Sequence, residues 1–110
     1  MLEETVNKIE AAIGRIGSLE TRDKAEILGL LESLKSEVSE LSRTHGEHAR
    51  SIAGLAEIAA HEAGRREKSP GLLKHSLEGL ALSARGFEDS HPRLVRIVDG
   101  ICVLLARMGI

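Results

Sequence analysis

Aromatic residues are almost missing from this chain of 110 residues, because Phe87 is its only Phe, Trp or Tyr. A core built from large rings is therefore excluded. Burial has to come from Leu, Ile, Val and Ala, which supply nearly all of the 42% of residues that are hydrophobic. Such a composition is typical of packed helices rather than of sandwiches or barrels, so we predict an all-α fold in a single domain over 1–110.

Cysteine is equally scarce, since the single Cys102 has no partner for an intramolecular disulfide. Met1 is followed by Leu2, Glu3 and Glu4, where a secretory signal would need a basic region and then an apolar run. Both observations predict a cytoplasmic protein. The most apolar segment, 94–110, contains charged residues and is too short to cross a bilayer, so we expect no membrane partner.

Charge of one sign does not dominate, because 15 Lys and Arg stand against 17 Asp and Glu and both signs are interspersed. Without a basic patch, we expect no nucleic-acid partner. The sequence also contains no glycine-rich phosphate loop, no nucleophile elbow and no cysteine pair. We therefore expect a protein that is not an enzyme and that uses no cofactor.

Hydrophobic spacing and prolines predict three of the helices. Apolar residues recur every three or four positions through the first segment, which places them on one side of a helix over about 2–16. Ser69-Pro70 is a strong helix start and predicts a helix over about 70–88. Pro92 opens a further apolar stripe, which predicts a helix over about 92–108.

The middle of the chain predicts one long helix over about 22–66. Its apolar rhythm of three and four runs without a phase slip through two histidines, His45 and His48. Two helices joined by a loop have no obvious reason to share one register, so we expect a continuous rod of roughly 65 Å at about 1.5 Å per residue. Gly46 opposes this interpretation, because a glycine inside a helix costs about 1 kcal/mol relative to alanine.

The predicted architecture is an antiparallel bundle of about four helices around this long central helix. The shorter helices would leave part of the long stripe wet, and an exposed stripe of that extent marks an association surface. We therefore predict a homodimer whose seam is formed by Leu31, Leu34, Val38, Leu41, His45, His48, Ile52 and Leu55.

The histidines of this stripe allow three interpretations. A polar layer can fix the register of a helix interface. Protonation of the pair in mild acid can loosen a dimer. The spacing of His45 and His48 also suits two metal ligands, but zinc needs more, and His61 lies about 20 Å further along a continuous helix. A folded-back helix or a second copy would have to add His75 or His91, so no metal site is predicted.

A second motif, His61-Glu62, resembles the opening of the zinc-protease helix motif. The second histidine of that motif would stand four residues after the first, where this chain has Arg65, so a protease is excluded. An ion pair between Glu62 and Arg65 or Arg66 on one helix face is the plainer interpretation. The alternative is a cluster of His61, Glu62 and Arg65 with His91. The metal candidates are thus His45, His48, His61, Glu62 and His91.

Several short motifs resemble a family of small bacterial proteins of unknown function: Ser51-Ile52 with Gly54, His61-Glu62-Ala63, Ser90-His91-Pro92 with Leu94, and Met108-Gly109-Ile110. The resemblance covers most of the chain beyond Ser36 and implies a bacterial origin and a small helical protein. It assigns no catalytic role to any residue.

From these observations we expect a non-enzymatic helical scaffold or adaptor that associates with itself and binds a protein partner that the sequence does not identify. The alternative is a metal- or ligand-binding helical bundle that uses its histidines.

Overall fold

The computed structural model describes residues 2–14 and 21–108, and this part of the chain forms five helices and no strand. The helices are α1 (Leu2–Gly14), α2 (Thr21–Leu41), α3 (Gly46–Ala63), α4 (Pro70–Arg85) and α5 (Pro92–Met108). The predicted all-α fold is confirmed. Within the same ranges, no helix combines the length and the apolar character needed to span a membrane.

Helix α3 occupies the centre of the bundle, because it packs against each of the other four helices. Its buried face consists mostly of small side chains, which allow neighbouring backbones to approach closely. The buried alanines are Ala49, Ala53, Ala56, Ala59, Ala60 and Ala63. The outer helices complete the core through three further contacts, of α1 with α2, α2 with α5, and α4 with α5.

The long helix predicted over 22–66 is wrong, because the chain turns between Leu41 and Gly46. The backbone amide of His45 donates to the carbonyl of Leu41 at 2.8 Å and closes the turn. His45 itself has φ −133° and ψ 62°, outside the helical region, so α3 begins at the next residue. The longest dimension of the protein is 38 Å, far below the predicted rod.

The apolar rhythm survives this turn for a physical reason. Both α2 and α3 bury their stripes in the same core, so each must keep its apolar residues on one side. Spacing of three and four residues specifies which face of a helix is buried. It does not specify that the helix axis continues, and the axis breaks at residues 42–45, between the end of α2 and the start of α3.

The predicted dimer seam is also corrected by burial within the single chain. Its first four residues and Ile52 are each no more than 1% exposed, Leu55 is half-buried, and His45 and His48 are exposed. The turn before Gly46 lets α3 fold back into the bundle, so the other helices cover the stripe that a rod would leave wet. A second copy is therefore not needed to bury these residues, and the oligomeric state stays a prediction.

The remaining helices differ little from their predicted ranges. Helix α5 covers the predicted 92–108, and α4 begins at Pro70 but ends at Arg85 rather than near 88. Ser69 precedes α4 without a side-chain capping hydrogen bond, although its carbonyl accepts from the Leu73 amide at 3.0 Å. The end predicted for the first helix at residue 16 lies outside the described residues.

Two glycines mark close approaches between helices. A Cβ atom at Gly79 of α4 would lie 3.3 Å from Cδ2 of Leu55 on α3, and one at Gly100 of α5 would lie 3.3 Å from Cδ1 of Leu30 on α2. Gly54, in the middle of α3, has open space where its Cβ would be. Close packing therefore explains the first two glycines but not the third.

This difference predicts opposite consequences for the same substitution. Gly54→Ala should raise the free energy of unfolding by about 1 kcal/mol, because alanine is the better helix former and the added methyl meets nothing. Gly79→Ala should gain clearly less, since its methyl presses on Leu55 and offsets the helix term. Urea unfolding of both variants measures this. Equal stabilisation by the two substitutions would contradict the close approach of α4 to α3.

Candidate functional site

Three histidine rings surround the only phenylalanine of the chain at one end of the bundle. The ring centroid of Phe87 lies 5.3 Å from that of His45, 5.4 Å from that of His48 and 5.8 Å from that of His91. Each histidine ring is nearly perpendicular to the phenylalanine ring, with interplanar angles of 76° to 87°. We call these four residues the histidine–phenylalanine cluster.

Two inter-helix turns bring the cluster together. His45 and His48 stand at the start of α3, directly after the turn that ends α2. Phe87 and His91 belong to the segment between α4 and α5, where the His91 amide donates to the Phe87 carbonyl at 2.7 Å. The cluster therefore exists only because the chain turns before Gly46 and α3 packs against α4.

Local hydrogen bonds hold two of the imidazoles in place. Nδ1 of His45 lies 2.8 Å from the hydroxyl oxygen of Thr44, and Nδ1 of His91 lies 3.0 Å from the hydroxyl oxygen of Ser90. In both rings the hydrogen-bonding atom is Nδ1, and its partner is the hydroxyl group of the preceding residue. These bonds engage Nδ1 of each ring and leave Nε2 as its second hydrogen-bonding atom.

Burial shows what the cluster does for the fold. Phe87 is 8% exposed, whereas His45 and His48 are exposed. The imidazoles thus cover the edge of the core, because each contacts the buried phenylalanine ring from an exposed position. Edge-to-face contacts of this kind contribute about 0.5–1.5 kcal/mol each beyond the area they bury.

The metal candidates do not gather into one site. Among residues 2–14 and 21–108, no three His, Cys, Asp or Glu side chains are placed to hold one metal ion. His61 and Glu62 lie near the opposite end of α3 from His48. The alternative cluster of His61, Glu62 and Arg65 with His91 is wrong. His91 contacts Phe87 beside the start of α3, whereas His61 and Glu62 lie near the end of that helix.

Glu62 has a structural partner instead. Its Oε1 lies 2.9 Å from a guanidinium nitrogen of Arg65, three residues later on the same side. The predicted pairing of Glu62 with Arg65 is confirmed, although Arg65 lies just beyond the end of α3 at Ala63 rather than on a helix face. The backbone carbonyl of Ala63 accepts a further hydrogen bond from the Lys68 ammonium, so basic side chains satisfy the end of α3.

The surroundings of Cys102 indicate that this side chain contributes to packing. Burial raises the pKa of its thiol to about 11, and the nearby charge of Asp99 adds to the shift. The thiol faces the carbonyl of Leu77 on α4, with 3.7 Å between sulfur and oxygen. A thiol that stays protonated near neutral pH is a poor nucleophile, so this residue offers no covalent chemistry.

Sequence reasoning found the histidines of the cluster but missed its centre. The sequence marks Phe87 only as the single aromatic residue of the chain. A signal was present in the apolar spacing. His91 interrupts this spacing between Phe87 and Leu94. His45 and His48 interrupt it between Leu41 and Ile52. Histidine interruptions of the same kind at two turns indicate that the two turns lie at the same end of the bundle.

The fold and this end of the bundle define a small all-α domain with a histidine-covered core. Residues 27–110 match the family model described as Domain of unknown function (DUF4404), and the chain belongs to this family. The resemblance to an uncharacterised family is thereby confirmed. Neither the curated proteins nor the solved structures contain a match to the chain.

The cluster predicts unequal costs for its members. Phe87→Ala should lower the free energy of unfolding by about 3 kcal/mol or more, because it leaves a cavity between two turns. His48→Ala should cost clearly less, since it removes edge contacts with Phe87 and His45 from an exposed position and leaves no cavity in the core. Urea denaturation followed by circular dichroism measures both. A histidine variant as unstable as Phe87→Ala would show that the imidazole has a structural role beyond covering the ring.

Proposed function

We propose that this protein is a non-enzymatic helical scaffold or adaptor that acts in the bacterial cytoplasm and associates with a second copy of itself. The observation that supports this proposal is a set of large aliphatic side chains that stay exposed although the core is complete. They are Ile58 at 51% exposed, Leu72 at 51%, Leu82 at 67% and Val103 at 58%. We call them the exposed aliphatic residues.

Their location favours an interface made by the domain that defines the family. All four lie on α3, α4 or α5, inside the matched range 27–110. The core is already filled by other residues of these helices, so folding of one chain gains nothing from them. Covering apolar surface stabilises a complex by about 25 cal/mol per Å². The interface proposed in this way differs from the seam that the sequence predicted.

Size and charge favour a second copy as the occupant. A stable interface takes about 800 Å² from each partner, and a protein with extents of 38 × 24 × 22 Å is large enough to offer that area. The formal net charge is only −2, so two copies repel each other weakly. A strongly charged protein would oppose pairing of this kind.

The chemistry of the polar groups also favours binding over catalysis. The imidazoles of the histidine–phenylalanine cluster contact an apolar ring, and the thiol of Cys102 is held protonated by burial. The free thiol of Cys102 is also consistent with a reducing compartment. These features support a protein whose surface, rather than a reactive group, carries its function.

Sedimentation velocity tests self-association. The wild-type protein should sediment as a dimer at micromolar concentration, and the double variant Leu82→Glu with Val103→Glu should sediment as a monomer, because carboxylates cannot be buried without a partner. Ser36→Glu is the matched control, since it adds a charge at an exposed position of α2, which carries none of the exposed aliphatic residues. A wild-type monomer, or a double variant that stays dimeric, would refute this interface.

Metal or ligand binding by histidines is the second candidate, favoured by one observation. His45 and His48 are exposed beside each other, with 6.1 Å between their ring centroids. Two imidazoles bind an ion only weakly, so a further ligand would come from outside the described residues.

Native mass spectrometry with added zinc tests this second candidate. If the pair binds metal, the wild-type protein should retain zinc, and His48→Ala should lose it. The control His75→Ala removes an exposed histidine from α4 and should change nothing. Equal zinc retention by His48→Ala and the wild type would exclude the pair as a metal site.

A further inference from the structure

Helix α1 is attached to the bundle differently from the other helices. It packs against α2 and α3, and in the described part of the chain it has no comparable contact with α4 or α5. Ile9 and Ile13 are its buried side chains there, at 1% and 0% exposed. The family match begins at Ile27, so α1 lies outside it, whereas α3 and most of α2 lie within.

A carboxyl group weakens this attachment from within. Glu10 follows Ile9 directly, and its Oε1 is buried without a hydrogen-bond partner among the described residues. A buried carboxylate oxygen without a partner disfavours the charged form. Glu32 of α2 faces Glu10 across the interface and adds repulsion between like charges.

These causes act together on the protonation of Glu10. Burial is the largest cause and raises its pKa above the ordinary 4.5; the charge of Glu32 raises the pKa further. When one of the two carboxyl groups holds a proton, it can donate a hydrogen bond to the other, and this also raises the pKa of Glu10. Lys35 opposes the shift with its positive charge but does not reverse it.

Two lysine side chains of α2 make weak polar contacts with α1. The Lys35 ammonium donates to Oδ1 of Asn7 at 3.5 Å, and the Lys24 ammonium donates to the Gly14 carbonyl at 3.2 Å, both in exposed positions. On α3, the other helix against which α1 packs, Glu57 is half-buried and the buried Glu62 is already paired with Arg65. The two exposed lysine contacts contribute at most about 1 kcal/mol each. Among the described side chains of α1, Ile9 and Ile13 supply the buried apolar contact with the bundle.

We propose that α1 is a releasable strap, which docks on α2 and α3 while Glu10 is protonated and loosens when Glu10 and Glu32 are both charged. Release uncovers the groove that Ile9 and Ile13 fill. This device does not depend on the interface formed by the exposed aliphatic residues, which lie on other helices.

The direction of the pH dependence follows from the shift. Docking raises the pKa of Glu10, so the docked helix holds the proton more tightly than the released one. The resulting stabilisation is fully present in acid, below the ordinary value of a glutamate. It is lost as the pH rises through the raised pKa of the docked state.

Hydrogen exchange followed by mass spectrometry tests the strap on the full chain. Protection of α1 amides, corrected for the intrinsic exchange rate and divided by that of α4 amides, should fall by about twofold to fivefold between about pH 4 and about pH 7.5. Glu10→Gln should keep the acidic level of protection at both pH values. Glu4→Gln is the matched control on the exposed side of α1 and should show the wild-type fall.

Two outcomes would overturn the proposal. One is wild-type protection of α1 that does not change with pH relative to α4. The other is a fall of the same size in Glu10→Gln as in the wild type, which would assign the pH dependence to another group. Glu32→Gln provides an independent check, since removal of the facing charge must reduce the fall. Neither glutamine variant introduces a cavity, so both should fold.

Discussion

The alanine-lined face of α3 is the constraint on which the rest of the structure depends. Each alanine buries little area, so a helix of this kind contributes to a core only when neighbours surround it closely. Four helices do so here. That arrangement requires α2 to end at Leu41, because a continuous helix would carry α3 away from α1 and out of the bundle.

The turn that satisfies this constraint also creates the polar end of the molecule. Thr44 and His45 leave the helical path, and the segment between α4 and α5 arrives at the same place. An imidazole is suited to this position, since one part of the ring packs on Phe87 while a nitrogen stays in water. The histidines thus close the core at the end where no helix covers it. Because one chain closes its own core, the apolar groups left outside become the natural candidates for association.

Local patterns predicted the parts of the fold that local physics determines. The range of α5 followed from Pro92 and a wide apolar stripe, because proline starts a helix and amphipathic spacing continues it. The break before α3 could not be derived in this way. A glycine that costs about 1 kcal/mol is compatible with either a kink or a turn, and the burial of distant segments decides between them.

The candidate site was only half predictable for the same reason. The pairing of His45 and His48 was visible in the spacing, but their contact with Phe87 joins segments some forty positions apart in the chain. The predicted dimer seam lost its support together with the rod, since its aliphatic residues would be exposed only if α2 and α3 were one helix. An error in one turn therefore propagated into the assembly, while the class of fold, which depends on composition and period, was unaffected.

The turn itself can be observed through the ring protons of the single phenylalanine. A two-dimensional nuclear Overhauser spectrum of the protein should show cross-peaks from the Phe87 ring to the rings of His45, His48 and His91, whose centroids lie within 5.8 Å of it. The chain has no Tyr or Trp, so these signals are free of overlap from other large rings. Cross-peaks to all three histidines are the predicted result. Their absence for His45 and His48, with His91 alone close to Phe87, would contradict the folded-back α3 and the bundle built around it.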